Sequence, residues 1–370
     1  MKVLMVLSNP LIVDPRVYKE AKALQNAGHE LRVIVWDRNE EYSPVGDVNG
    51  IKVFRIHLRA RDGLSTVASM PRWWFAAYKR AISIYKNWNY DVVHVHDLDT
   101  LPVGVALKSK FKLPLIYDAH EIYGYMIASQ YPKLFSKIAF TMEKWMVRKV
   151  DRIITVNENL RDYFNRITDK PVHIVMNCKE LIMEDYKPPK NDVFTVCYIG
   201  LLHKNRMFPE ILDVIGNIEG VRFVIAGKKE NLYWEVEKKV KNYKNIVFLG
   251  TLPHDKVIET TLNCDAVVHM VNPEDINNRL GYANKQFEAM VCGRPIITTK
   301  GTSAGELTEK THAGLVIDYS PEALREAIIL LRDNRDLREQ LGKNGLKAAK
   351  EFYNWQRQEK ELLKVYSYLK

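Results

Sequence analysis

Short runs of β-branched and apolar residues alternate with amphipathic stretches along almost the whole chain, and the alternation is interrupted only once. Parallel strands joined by helical crossovers produce that rhythm, so the expected fold class is α/β with doubly wound units. Val3–Leu7 is a continuous apolar run, as a strand buried on both faces requires. Asp14 and Pro15 then supply an N-cap and a first-turn proline, Val17, Ala21 and Leu24 follow at helical spacing, and Ala27-Gly28-His29 closes the helix. Further strands are expected at Leu31–Trp36, Ile51–Ile56, Asp91–Val95, Leu115–Tyr117, Arg152–Val156 and Val172–Val175, with helices near 72–88, 99–109, 132–149 and 158–166.

The turn-rich, charged stretch 184–192 breaks the pattern and reads as an interdomain linker. Strands resume at Phe194–Ile199, Val221–Ala226, Ile246–Leu249, Ala266–Met270, Pro295–Thr298 and Leu315–Ile317. Ser320-Pro321-Glu322 starts a charged, helical C-terminal region with an N-cap, a proline and an acid. A chain of 370 residues suits two domains, here 1–183 and 193–352. Two doubly wound units bind ligands at the C-terminal ends of their strands, which places the expected site in a cleft between them.

A hydrophobic content of 46% and a charged content of 27% exclude wholesale disorder. Cys178, Cys197, Cys264 and Cys292 form no Cys-x-x-Cys pair, which argues against a zinc ribbon or a disulfide scaffold and fits a reducing compartment. The apolar start Met1–Ser8 is too short for a signal peptide, and no stretch approaches the roughly 20 apolar residues of a spanning helix, so a cytoplasmic protein is expected. Lys and Arg outnumber Asp and Glu by 55 to 45, a balance that suits an anionic partner. Eight of the cations fall between Lys52 and Trp88 against one acid, Asp62, interleaved with Trp73, Trp74, Phe75, Tyr78, Tyr85 and Trp88. That segment is either a helix lying on acidic lipid headgroups or an ordinary docked helix with its aromatics in the core. No helix-turn-helix, zinc-finger or RNA-binding signature is present, so nucleic acid is not an expected partner.

The first strand-to-helix turn, residues 8–14, contains no glycine, whereas a turn that cradles a dinucleotide pyrophosphate needs several. NAD and FAD are therefore not expected there, and the chain also lacks a P-loop and a Gly-x-Ser-x-Gly elbow. Two histidine-acid clusters follow consecutive strands: His94-Val95-His96-Asp97-Leu98-Asp99 and Asp118-Ala119-His120-Glu121. They could ligate a metal, yet His94 reads better as a hydrogen-bonded sheet residue, and Asp97 and His120 as groups that hold ligand hydroxyls. No metal is expected. In the second unit Gly200-Leu201-Leu202-His203-Lys204-Asn205-Arg206 places two cations after a glycine turn, a diphosphate-binding arrangement if a helix starts there. Gly281-Tyr282-Ala283-Asn284-Lys285-Gln286-Phe287-Glu288 adds a lysine and an acid three apart on one helix face. These two could hold the ends of a ribose-phosphate, or form a plain surface pair.

In this order the residues resemble the family 4 retaining glycosyltransferases of the GT-B fold, across nearly the whole chain. Asp14-Pro15-Arg16-Val17 through Ala27-Gly28-His29-Glu30-Leu31 is similar to the family's first helix and second strand, and Val175-Met176-Asn177 to its turn ahead of the linker. The most specific stretch is Asn284-Lys285-Gln286-Phe287-Glu288-Ala289-Met290-Val291-Cys292-Gly293-Arg294-Pro295, similar to the signature Glu-Ala-Met-x-x-Gly-x-Pro in the subgroup with Asn-Lys ahead of the acid. The resemblance implies two Rossmann-like domains facing across a cleft, with a final helix over 353–370 returning to the first. It implies a UDP- or GDP-linked sugar as co-substrate, with no other cofactor. Arg206 and Lys285 would neutralise the diphosphate, Glu288 would bind the ribose, Thr251 and Leu252 would meet the base, and Gly200 would let the sugar-phosphate approach. Lys204, Gly281 and Asn284 complete the implied donor side. His120 would face the donor sugar, and Asp14, Arg16, Asp97 and Glu121 would line the acceptor side. The chain departs from the family at Leu201, where an arginine is usual, and at Leu280, where a first glutamate is usual; each lost charge-assisted bond costs about 1.5–3 kcal/mol unless Lys204, Asp275 or Asn278 replaces it.

The implied reaction is metal-independent glycosyl transfer with retention, onto a glycan or lipid-linked acceptor, with an acidic membrane surface as a further partner through 52–88. No close carboxylate pair can be assigned for double displacement. Two other readings remain open: a nucleotide-sugar 2-epimerase, which would turn over without an acceptor, and a non-catalytic membrane-associated partner subunit, which would bind no nucleotide.

Overall fold

The structure, a computed structural model, describes residues 1–370 apart from 12, 13, 62, 129, 130 and 370. Ile12 and Val13 of the first turn, Asp62 of the basic segment and Lys370 at the end of the expected last helix therefore lie outside the described residues. The chain divides into two compact units, Met1–Met176 with Glu359–Lys370, and Asn177–Gln358.

The first unit runs β1 (Lys2–Leu7), α1 (Pro15–Asn26), β2 (Glu30–Asp37), β3 (Val45–Val48), β4 (Ile51–His57), α2 (Leu64–Trp88), β5 (Val92–His96), α3 (Leu101–Phe111), β6 (Leu115–Ala119), α4 (Tyr123–Ala128), α5 (Lys133–Met146), β7 (Arg152–Thr155), α6 (Glu158–Ile167) and β8 (Val172–Ile174). Its eight strands lie in the order β3-β4-β2-β1-β5-β6-β7-β8, parallel except for β3. Strand β1 pairs on both edges, and Val3 to Leu7 are all buried, so both of its faces are covered and it reads as an unbroken apolar run. Asp14 accepts a hydrogen bond from the Val17 N–H, and Pro15 opens α1. Gly28 takes φ +83° just past its end, where a Cβ would be strained.

Three elements of this unit escape the sequence pattern: β3, the first turns of α2, and the short α4, which none of the expected helices covers. The β3 strand, Val-Gly-Asp-Val, has no continuous or alternating apolar run and pairs only at the sheet edge. Helix α2 begins eight residues before the expected start, because Pro71 sits inside it rather than in its first turn. Of the aromatics in this basic segment, Trp73 stacks on Trp36 at 5.5 Å, Trp88 is buried, and Trp74 donates to the Asp99 carbonyl. Phe75 alone is strongly exposed, beside Lys79. The segment's aromatic face is thus largely core; Lys52, Arg59, Arg61, Arg72, Lys79 and Lys86 face water, whereas Arg55 is buried and donates to the Ser43 carbonyl at 3.0 Å.

The second unit contains β9 (Phe194–Ile199), α7 (Glu210–Gly216), β10 (Val221–Ala226), α8 (Tyr233–Lys239), β11 (Ile246–Phe248), α9 (His254–Leu262), β12 (Ala266–His269), α10 (Ile276–Leu280), α11 (Asn284–Val291), β13 (Ile296–Thr299), α12 (Ser303–Thr311), β14 (Gly314–Ile317), α13 (Pro321–Asp333) and α14 (Arg335–Glu351). All six strands are parallel, in the order β11-β10-β9-β12-β13-β14. The order reverses between β9 and β12, and ligands bind beyond the strand ends at such a switch point. The unit begins at Asn177, so the stretch 184–192 read as a linker lies within it. Tyr186 packs against Gly293 and Gly342, and Arg294 donates to the Lys187 carbonyl at 2.9 Å; proline and charge suggested a tether, but one ring and one carbonyl anchor it. The last helix, α15 (Trp355–Ser367), belongs to the first unit from Glu359 onward. Among the described residues, no helix is long and apolar enough to cross a membrane.

Candidate active site

The second unit's switch point is built from the loops after β9 and β12, which are tied together. Asn272 N–H donates to the Asn205 carbonyl at 3.0 Å, and Asn205 Nδ2 donates to Asp275 Oδ2 at 2.8 Å. Lys204–Arg206 forms a 3₁₀ turn, with His203 Nδ1 accepting from the Asn205 N–H, and α7 starts only at Glu210. The two cations therefore stand on a tight turn and not at a helix start, which corrects the helix-terminus expectation. Arg206 donates through Nη1 to Asn278 of α10, while Lys204 is exposed.

Lys285 enters the same place from the first turn of α11. It is buried, its ammonium lies 3.7 Å from the centre of the Tyr198 ring, and a Cβ at Gly200 would stand 3.1 Å from its Nζ. Gly200 is thus the residue that lets the lysine in. Burial first, then the Arg206 guanidinium, lower the Lys285 ammonium to about 7, with Glu288 pulling the other way. His269, at the end of β12, is held well below its ordinary range by burial and by the same two cations, so Lys285, Arg206 and His269 share one electropositive neighbourhood. Among the described residues Lys285 makes no ion pair. Glu288, three residues on, pairs instead with Lys179, Nζ to Oε1 3.0 Å, with both side chains about nine-tenths buried. The surface Lys285–Glu288 pair allowed by spacing is not formed.

The remaining expected donor residues sort by place. Thr251 donates to the Gly227 carbonyl at 2.9 Å on the turn after β11 and Leu252 follows it; Gly281 ends α10; Asn284 accepts from Asn177 at 2.8 Å. Leu201 is exposed, and its carbonyl accepts from the Tyr198 hydroxyl. Of the three suggested replacements for the family's missing charges, Asn278 alone reaches Arg206, since Asp275 is spent on Asn205 and on capping α10. Lys179, Tyr198 and His269 carried no motif, and the sequence reading missed them.

The first unit gathers its histidine-acid clusters at the end of β5 and β6. Arg16 is buried there, with Nη2 at 3.0 Å from both Asp118 Oδ1 and Glu20 Oε1 and Nη1 donating to the Val175 carbonyl at 2.8 Å. Expected on the acceptor side, Arg16 instead has its guanidinium committed to the interior. His120 bridges two acids, Nε2 at 3.3 Å from Asp118 and Nδ1 at 3.4 Å from Asp97, and its N–H donates to Asp97 Oδ1. Burial opposes its charge, but Asp97 and Asp118 outweigh that and raise the imidazolium to about 10. Burial pushes Asp97 up to about 7 against the pull of His120. Glu121 adds negative charge beside Asp97, and Asp14 stays bound to the start of α1. Asp99 turns away to Ser8 at 2.5 Å, so Asp97 and Asp99 do not act as a pair.

Glu20, His94, His96 and Asp118 present ligand atoms all within 4.8 Å of one another, a completion of the His94/His96 pair that spacing did not reveal. The guanidinium of Arg16 lies 3.0 Å from both carboxylates, so a cationic side chain already stands beside this group. His94 is the hydrogen-bonded sheet histidine expected, with Nδ1 2.7 Å from the Tyr366 hydroxyl of α15. Tyr366→Phe removes that partner inside the core and is expected to cost about 1–3 kcal/mol in urea unfolding; an unchanged midpoint would show that the contact is not needed.

Two doubly wound α/β units, the second with an electropositive switch point, have the architecture of the GT-B fold. Residues 15–178 match the model of Glycosyltransferase Family 4 and residues 180–348 that of Glycosyl transferases group 1, and the chain belongs to this family. It is 26% identical over 283 residues to an uncharacterized glycosyltransferase of Methanocaldococcus jannaschii, covering 72% of this chain and 66% of that one. A second from the same organism is 24% identical over 92% of this chain and 90% of its own length. Among solved structures, sucrose-phosphate synthase from Thermosynechococcus elongatus superposes with a TM-score of 0.83 at 15% identity, over 100% of this chain and 99% of that one. Anabaena HepE in complex with UDP-glucose does so at 0.70 and 14% identity, over 100% of each chain.

Proposed function

We propose that this protein moves a sugar from a nucleoside diphosphate sugar to an acceptor hydroxyl, with retention and without a metal ion. The observation that carries the reading is Lys285: an ammonium held in the interior beside Arg206, at a switch point, with no carboxylate ion-paired to it among the described residues. A protein bears such a cost where an anion repays it, and a diphosphate fits two adjacent cations. The bond from the anomeric carbon to the β-phosphate oxygen breaks and its electron pair leaves with the diphosphate. Arg206, oriented by Asn278, and Lys285 stabilise that developing charge. The acceptor oxygen attacks the anomeric carbon, and its proton passes to the departing diphosphate.

Front-face attack suits retention here because the nearby carboxylates are occupied, Glu288 by Lys179 and Asp275 by Asn205 and the α10 cap. Glu288 accepts from the ribose hydroxyls, and the backbone at Thr251 and Leu252 meets the base. His120 and Asp97 hold sugar or acceptor hydroxyls, one donating and the other able to accept. HepE, crystallised with UDP-glucose, makes uridine the first base to test and guanosine the second. The acceptor is a glycan or a lipid-linked glycan at an inner membrane face.

Product mass spectrometry with UDP- and GDP-sugars and mixed lipid acceptors is expected to yield a glycosylated product with the donor's anomeric configuration. Arg206→Ala is expected to reduce turnover at least about a hundredfold. Near-normal turnover in both Arg206→Ala and Glu288→Ala would overturn the donor site, and donor conversion without acceptor would favour an epimerase.

A further inference from the structure

Helix α5 carries a face that the transfer chemistry does not use. Its inner side packs against the unit: Ala139 and Glu143 are buried, Glu143 takes hydrogen bonds from Tyr117 and Tyr163 at 2.8 and 2.7 Å, and Phe140 abuts Gly124 of α4. On the water side Leu134, Ile138 and Trp145 are 65%, 53% and 55% exposed. Spacings of four and seven residues put all three on one stripe. Lys133, Lys137, Lys144 and Arg148 are exposed along its flank, and the Lys149 ammonium lies 3.3 Å from the centre of the Trp145 ring. Glu143, the only acid of the helix, points inward, so every charge that α5 and the turn after it offer to water is positive.

We propose that this face docks on an anionic lipid bilayer, with Leu134, Ile138 and Trp145 seated at the boundary between headgroups and acyl chains. The stripe alone would suit any apolar surface; the five cations beside it decide the partner. A bilayer containing acidic lipid supplies both requirements at once, an apolar layer for the stripe and a sheet of negative charge for the lysines and arginine. Tryptophan prefers that depth, with its ring in the boundary and its N–H toward water. The basic segment 52–88 lacks such a stripe, because Trp73 and Trp88 are turned into the core. Docking is independent of the glycosyl-transfer reading, because vesicle binding is read without donor or acceptor.

The test is flotation of the full chain with vesicles of phosphatidylcholine, alone or with 30% phosphatidylglycerol, at roughly 0.1 M salt. Flotation with the anionic vesicles and not the neutral ones is expected. Leu134→Ser with Ile138→Ser and Trp145→Ser is expected to weaken it at least tenfold, with UDP binding in solution unchanged. The emission lost in Trp145→Phe, taken as a difference spectrum against the parent, is expected to shift to the blue when anionic vesicles are added. Equal flotation with neutral vesicles, full flotation of the triple variant, or an unshifted Trp145 component would each overturn the proposal. So would a dimer in vesicle-free solution that the triple variant converts to monomer, since a second copy would then be the occupant.

Discussion

Lys285→Met is expected to make the protein more stable and nearly unable to bind nucleotide. The two effects have one cause. Burial and the neighbouring Arg206 hold the Lys285 ammonium at about 7, far below its unfolded value, so the free protein bears an ionisable group in an unfavourable place. Methionine fills similar space without charge and is expected to add on the order of 1–4 kcal/mol. Between pH 7 and the unfolded lysine range the unfolded chain holds a proton that the folded one has released, so the parent grows more stable as pH rises. The gain from methionine is accordingly largest at or below pH 7 and fades toward alkaline pH.

A diphosphate reverses the balance, because it needs the charged form. Losing that cation is expected to weaken UDP binding by on the order of 2–5 kcal/mol, or about 30- to several thousand-fold. In the parent, with half the ammonium charged near pH 7 and about a tenth at pH 8, affinity is expected to fall about fivefold over that step. Calorimetry in buffers of different ionisation enthalpy should register proton uptake on binding. If stability and affinity drop together, or affinity ignores pH, Lys285 does not face the phosphates.

The sheets were legible in the sequence because each buried parallel strand is a short apolar run between turn residues; Phe194–Ile199 and Val221–Ala226 stand where the pattern placed them. The helix over Asn284–Val291 was legible as a motif, and its lysine is buried. What stayed hidden depends on contacts distant in sequence. Spacing puts Lys285 and Glu288 on one helix face, but it does not reveal that Gly200 leaves room for one while Lys179 claims the other. Spacing likewise puts His94 and His96 on one face of β5, yet Arg16, Glu20 and Asp118 complete their surroundings from α1 and β6. In the basic segment composition could not choose between core and interface, because an aromatic residue serves either, and only packing shows Trp73 against Trp36.

Lys179→Met should therefore reveal more than the change of one surface charge would. The substitution strips a buried carboxylate of the cation 3.0 Å away, and breaking such a pair from one side is expected to cost about 3–5 kcal/mol. Adding Glu288→Leu removes the orphaned charge, so the double variant is expected to regain most of that loss and give a coupling of at least about 2 kcal/mol in a double-mutant cycle. Stability alone would leave Lys179 a structural residue, and the ribose separates the cases. If Lys179 fixes Glu288 for the ribose hydroxyls, the parent is expected to prefer UDP over its 2′-deoxy analogue by about 10–150-fold, the worth of one hydrogen bond to a charged acceptor. Lys179→Met should bring that ratio below about threefold, and Lys179→Arg should restore it. Discrimination that survives the loss of stability would confine Lys179 to packing, whereas a parent that never discriminates would remove Glu288 from the ribose.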